Sequence, residues 1–198
     1  SPLTDVGVSQ VQELARTLES ENFGLILTSS LGRAMQTAEI LSRALGIPSW
    51  RQSYIAERHE GAFQGLTREQ QLERFPECFD GETGLLNPEL IPGAERLGDF
   101  LDRVAAGLKE IRSWAAATSV LVVTHTGVLQ ALTSLIFHED YLEVSAQRKF
   151  GFCDVVRFDQ TKIDAPRTAA ASCALAGHRL RSRERRRCPF PCAIAPLE

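Results

Sequence analysis

Two places in the chain follow a short apolar run at once with small hydroxyl residues and a basic or titratable side chain. One is Leu25-Ile26-Leu27 into Thr28-Ser29-Ser30, with Arg33 close behind; the other is Val120-Leu121-Val122-Val123 into Thr124-His125-Thr126-Gly127. Each reads as a buried strand ending where a helix starts. At the carboxyl ends of parallel strands, helix N-termini offer unbonded N–H groups and a partial positive charge, which suits an anion. Both junctions are therefore expected to face one anionic ligand. Arg33 falls in the opening turn of its helix, where a guanidinium is mildly unfavourable against the dipole. A bidentate grip on phosphate is one reason to keep it there, and an ion pair with a nearby carboxylate is another. His125, at the end of an almost wholly apolar strand, is by itself compatible with a satisfied core histidine. His59, in a loop, and His138, at a helix end, have weaker claims, and residue type alone does not separate the loop carboxylates Glu57 and Glu60 from surface groups.

The elements that must position these residues can be read from periodicity. Thr4 is placed to cap a helix carrying Val8, Val11, Leu14, Ala15 and Leu18 at three- and four-residue steps. After Leu25–Leu27, a helix from about Gly32 to Leu45 is expected to bury Met35, Ala38, Ile40, Leu41 and Leu45. It should stop at Gly46, with Pro48 beyond. Residues 50–66 read as a connection, and Thr67-Arg68-Glu69-Gln70 as a capping box opening a short helix. Residues 76–93 read as loop. Leu97, Phe100, Leu101, Val104, Leu108, Ile111 and Trp114 define one long amphipathic helix over about 94–116. Val120–Val123 is a β-branched run typical of a parallel strand covered on both faces, followed by a helix from Val128 to Phe137 and a last strand within Phe152–Phe158. Alternation of helices with short apolar strands predicts a three-layer α/β fold, a mostly parallel sheet with helices on both faces.

Taken in order, Ser29-Ser30-Leu31-Gly32-Arg33-Ala34-Met35-Gln36-Thr37-Ala38, Glu57-Arg58-His59-Glu60-Gly61-Ala62-Phe63-Gln64-Gly65, Pro92-Gly93-Ala94-Glu95 and Val122-Val123-Thr124-His125-Thr126-Gly127-Val128 resemble the motifs of the histidine phosphatase superfamily, the phosphoglycerate mutase-like fold. Pro2-Leu3-Thr4-Asp5-Val6-Gly7 is similar to the family's segment before its first helix, and the likeness covers roughly residues 1–160. It implies a phosphate pocket in which Arg33 holds the phosphoryl oxygens and His125 adds a second positive or hydrogen-bonding group. Ser29, Ser30 and Thr126 would line that pocket, and Glu57 would protonate the leaving oxygen. A phosphoryl group leaving an alcohol asks for these types, because its oxygens must be neutralised and its leaving group protonated. The family's nucleophile is a histidine on a first strand ending in Arg-His-Gly. The sequence holds no Arg-His-Gly, so that strand is expected to be missing, leaving an N-terminally truncated fold with a gap in sheet and site. Thr126 stands where the family often has Gly, and Arg96 follows Glu95 where Ser is usual.

Composition narrows the alternatives. The 198 residues are 43% hydrophobic and 24% charged, which excludes fibrous and wholly disordered classes. They divide into an α/β domain, residues 1–165, and an Arg-, Pro- and Cys-rich tail, 166–198, expected to be disordered. The first part carries 15 Lys and Arg against 23 Asp and Glu; the tail carries seven Arg against two Glu. The acidic body argues against nucleic acid as the partner. No run approaches the ~20 apolar residues of a membrane span. Five irregularly spaced cysteines suit free thiols in a reducing compartment, so the expected location is cytoplasmic. Cys173, His178, Cys188 and Cys192 lack the spacing of structural zinc, and the family's chemistry needs no metal or organic cofactor. The expected activity is hydrolysis of a small-molecule phosphate monoester through a phosphohistidine. Mutase-type phosphoryl transfer and non-catalytic phosphate binding are the alternatives.

Overall fold

A computed structural model describes residues 2–159 and 191–197. The chain runs α1 (Asp5–Leu18), β1 (Phe23–Ser29), α2 (Gly32–Leu45), β2 (Ser49–Gln52), α3 (Arg68–Arg74), α4 (Leu97–Ala115), β3 (Ser119–His125), α5 (Thr126–Phe137), α6 (Tyr141–Gln147), β4 (Val156–Asp159) and β5 (Pro191–Leu197). The strands form one sheet in the order β2-β1-β3-β5-β4. The first four of these are mutually parallel, and β4 is antiparallel to β5.

Strand period two sorts the central residues onto two helical layers. Leu25, Leu27, Val120 and Val122 meet Phe100, Val104 and Ile111 of α4 and Leu129 and Leu132 of α5. Ile26, Leu121 and Val123 meet Val11, Leu14 and Leu18 of α1 and Ala34, Ala38 and Leu41 of α2. Each such side chain contributes about 1.5–3 kcal/mol when fully buried, so the two layers fix the sheet's register and, with it, the strand ends. Local chemistry agrees with the sequence at both helix starts that carry a hydroxyl cap. Thr4 Oγ1 accepts the Gly7 amide, and Thr67 and Gln70 close a full capping box. Gly46 ends α2 at φ 68°, where a residue without Cβ is favoured.

Several details differ from the sequence reading. Met35 is exposed, because the buried stripe of α2 runs Ala34, Thr37, Ala38, Leu41 and Met35 sits one residue off it. Ser49–Gln52, expected as connection, is an edge strand pairing with β1, its side chains largely exposed and so without an apolar signal. The strand expected within Phe152–Phe158 begins at Val156, and Phe152 is exposed. The segment 61–93 is not bare loop: Phe63, Cys78 and Phe79 form a small core with Phe75, Leu86 and Ile91.

Cys173, His178 and Cys188, and most of the tail expected to be disordered, lie outside the described residues. Within that tail, Pro191–Leu197 is a strand, and the sheet is continuous across β3, β5 and β4 where a gap is expected. This stretch holds the tail's apolar run, and pairing it satisfies the outer edge of β3, whose buried N–H and C=O groups need partners. Pro191 opens the strand, where a missing N–H disturbs a sheet least, and Pro196, in register with Thr124 of β3, lies past the residues paired with β4. No helix among the described residues is long and apolar enough to cross a membrane.

Candidate active site

β1 and β3 are parallel neighbours, with Thr28 opposite Val123, so their carboxyl ends, Ser29 and His125, emerge side by side. From there α2 departs to one face of the sheet and α5 to the other. A crevice opens where successive connections leave in opposite directions, the usual ligand position in open α/β sheets. At its floor His125 Nε2 lies 2.7 Å from Ser29 Oγ, both residues fully buried. Ser29 Oγ also accepts the Leu31 amide at 3.2 Å, tying the imidazole to the entry of α2.

Arg33 follows in the first turn of α2, half-buried. Its Nε is shielded from solvent and has no hydrogen-bond partner among the described residues, a donor whose desolvation goes uncompensated unless a ligand meets it. Its charge lowers the Glu57 carboxyl pKa, so the two lie within electrostatic reach of each other. Ser30 and Thr126 flank the two turns, both half-buried.

Glu57 arrives on the loop after the tight turn Ser53–Ile55, which Thr124 Oγ1 anchors to β3 through the Ile55 carbonyl at 2.7 Å. Its carboxyl accepts the Arg58 amide at 2.9 Å and the Gly127 amide at 3.1 Å, placing it on the N-terminus of α5. Burial pushes this carboxyl up from the ordinary glutamate range, and nearby Glu60 adds to the rise. The two amides and Arg33 pull against burial without cancelling it. A buried carboxyl that holds its proton to higher pH is fit to act as an acid.

The acid's loop is itself held from behind. Arg103, on α4, donates through Nε and one terminal nitrogen to both Glu95 oxygens at 2.8 Å, and through the other to the carbonyls of Ser53, Tyr54 and Ala56 at 3.3, 3.0 and 3.0 Å. The Glu95 amide donates to the His59 carbonyl at 2.9 Å, the Glu95 carboxylate accepts the His59 amide at 3.3 Å, and Arg58 Nε donates to the Glu95 carbonyl at 2.7 Å. Gly61, at φ 56°, lies so close to Pro92 and Ala94 that a Cβ would come within 2.3 Å of their backbone atoms.

Of the residues singled out from sequence, His125 and Ser29 are in contact, Glu57 sits on the helix turn that follows His125, and Arg33 lies within electrostatic reach of Glu57. His59 is turned to the outside of the acid loop, its Nδ1 near the Gly61 amide and the Gly93 carbonyl, and His138 caps the far end of α5. Sequence reasoning missed Gly127 as the acid's anchor, the Glu95–Arg103 pair, and Tyr141, whose phenol lies within electrostatic reach of Glu57 and is pushed up by burial. The Pro92–Glu95 motif was a signal for Glu95. Arg103 left none, being one polar position on a long amphipathic helix. Among the described residues, no group of three His, Cys, Asp or Glu is arranged to hold a metal ion.

Residues 1–162 match the model of the histidine phosphatase superfamily, branch 1. The chain is 28% identical over 135 residues to an uncharacterized phosphatase, PhoE, of Bacillus subtilis, covering 68% of this chain and 64% of that one. It is 32% identical over 135 residues to a metal-independent phosphoserine phosphatase of Arabidopsis thaliana, covering 67% and 57%. These matches therefore span less than two thirds of either relative. Among solved structures, YhfR of Bacillus stearothermophilus superposes with a TM-score of 0.66 at 28% identity, over 76% of this chain and 74% of that one.

Proposed function

The chain belongs to the histidine phosphatase superfamily, and from that premise we propose that it hydrolyses a small-molecule phosphate monoester, with Arg33, His125 and Ser29 receiving the phosphoryl oxygens and Glu57 protonating the leaving oxygen. The observation that carries this reading is the buried His125–Ser29 contact beside a Glu57 carboxyl that sits on the first turn of α5, has its pKa raised by burial and lies within electrostatic reach of Arg33. In the transition state the charge on the phosphoryl oxygens is met by Arg33, His125 and the amide ends of α2 and α5. Glu57 supplies the proton that lets an alkoxide depart as alcohol. Ser30 and Thr126 border the same pocket.

In this reading the phosphoryl group passes to a histidine and then to water, and the nucleophile is carried on an Arg-His-Gly strand that the sequence from Ser1 to Glu198 does not contain. No metal or organic cofactor takes part, and the protein works in the cytoplasm. Relatives named as phosphatases support hydrolysis. The compact packing of 61–93 on its own aromatic cluster also favours it over mutase transfer, since it leaves little chain to seal the pocket from water.

The test compares the 198-residue chain with one extended N-terminally by an Arg-His-Gly strand, on 4-nitrophenyl phosphate, with inorganic phosphate and vanadate binding measured alongside. Both chains should bind the anions, and only the extended one should turn over and trap phosphate on histidine. Equal turnover by both would place the nucleophile elsewhere in this sequence. Turnover of neither, with anion binding intact, would favour a non-catalytic phosphate binder, and phosphoryl transfer to a second alcohol in preference to water would favour the mutase.

A further inference from the structure

We infer that Arg103 is a positioning residue for Glu57, gripping the backbone on both sides of the acid so that its carboxyl is delivered to the first turn of α5. The inference rests on the reading of Glu57 as the acid. The turn Ser53–Ile55 ends with the carbonyls of Ser53, Tyr54 and Ala56 converging on one point, and convergent carbonyl dipoles repel unless a cation sits between them. The Arg103 guanidinium occupies that point with one terminal nitrogen.

Its opposite edge is engaged fork to fork with Glu95, the geometry in which arginine and carboxylate hold each other most specifically. The pair is three-quarters or more buried at its side chains, and Arg103 holds the Glu95 carboxyl below the usual range, as a real ion pair does. Glu95 passes the constraint forward, because its amide donates to the His59 carbonyl at 2.9 Å and its own carbonyl takes Arg58 Nε. Residues 53–56 and 58–59 are thus fixed from one side chain, and Glu57 is the residue between them. Glu57 itself accepts the Gly127 amide and lies within electrostatic reach of Arg33, Glu60 and Tyr141. These define the place into which the loop must be pressed. A lysine reaches the carbonyls but has no fork for Glu95.

The test uses the full 198-residue chain and does not depend on turnover. Arg103→Ala, Arg103→Lys and Glu95→Gln are compared with the parent by 13C NMR titration of the glutamate carboxyls, with Glu57 assigned by its loss in Glu57→Gln. Inorganic phosphate binding and thermal melting are followed in parallel. In the parent, Glu57 should titrate above the other glutamates. In Arg103→Ala it should fall back among them, in Arg103→Lys and Glu95→Gln part of the way, while phosphate affinity stays within about threefold because Arg33, Ser29 and His125 are untouched.

A Glu57 titration unmoved in the three variants, even with lowered melting temperatures, reduces Arg103 to a structural residue and overturns the inference. So does a parent Glu57 that titrates normally. Should Arg103→Ala fail to fold, the two milder variants decide by the same criterion. A parent chain that binds no phosphate sinks the functional reading instead, and leaves the Glu57 titration to judge the positioning. In an N-terminally extended chain that turns over, Arg103→Ala should slow an alkyl phosphate at least about tenfold more than 4-nitrophenyl phosphate, whose leaving group needs little proton help. Equal slowing of both counts against it.

Discussion

The Glu57 carboxyl lies where a side chain on Gly127 would have to go: one oxygen accepts the Gly127 amide at 3.1 Å, and a Cβ there would sit 2.5 Å from the other. Gly127→Ala should therefore separate stability from function. The obstructing atoms are the tip of a flexible side chain, and alanine favours a helix over glycine by up to about 1 kcal/mol, so melting should hold steady or improve. The displaced carboxyl should lose its raised titration, and any turnover of alkyl phosphates should fall by about two orders of magnitude, the lower end of what a general acid supplies. Unchanged titration with lowered melting would show that Glu57 does not rest on this helix end.

Glu57 should also shape the stability of the chain against pH. Burial raises its pKa in the folded state above the unfolded value, so between the two values the folded chain binds more protons. This contribution is fully present below the ordinary glutamate pKa and is lost as pH rises through the raised folded value. Glu57→Gln should flatten that segment of the curve. Its amide also turns an NH2 toward one of the two backbone donors, an offset that does not vary with pH, so the slope is the readout. Melts stepped from about pH 4 to about pH 8 would measure it, and parallel curves for the two chains would contradict the assignment.

Arg33→Ala should weaken inorganic phosphate by about 1.5–3 kcal/mol, the range for a charge-assisted hydrogen bond, or roughly ten- to a hundredfold in Kd. Melting without ligand should not suffer, since the guanidinium opposes the α2 dipole and leaves its Nε unbonded. Calorimetry shows both. A variant that melts lower yet binds phosphate as before would make Arg33 a structural residue.

Behind the acid loop, Gly107 of α4 lies under the Tyr54 ring, where an added Cβ would stand 2.3 Å from a ring carbon. Gly107→Ala should cost about 1–3 kcal/mol by overpacking. It should also lift the phenol toward solvent, lowering a Tyr54 pKa that burial has pushed up to about 12. Absorbance titration of the tyrosines would detect the change. A fully native melting curve would mean that this contact is looser than described.

The helical layers and central strands were legible because their signals are local. Val120–Val123 could hardly be anything but a covered strand, and Thr4, Thr67 and Gly46 punctuate helices by hydrogen-bond chemistry that needs no tertiary context. Arg33, Ser29 and His125 were legible because each ends a strand or opens a helix. Strand β2 was not, since an edge strand with exposed Ser49, Trp50 and Arg51 has no apolar run to announce it. Nor was the support of Glu57, which depends on Gly127 and Arg103, 70 and 46 residues later in the chain. Their proximity follows from the closing of the sheet. Met35 failed for a smaller reason, a stripe read one residue too wide.

Alternation along β3 sends Val120 and Val122 to one helical layer and Leu121 and Val123 to the other. One residue inserted or lost within that strand would invert the whole set and carry the imidazole out of line with Ser29. Residues 61–93, by contrast, close on their own Phe63–Cys78–Phe79 cluster. Changes of chain length are thus forbidden within β3 and permitted in this separately packed segment. Such a division lets one surface segment be lengthened or shortened while the Ser29–His125 floor keeps its dimensions.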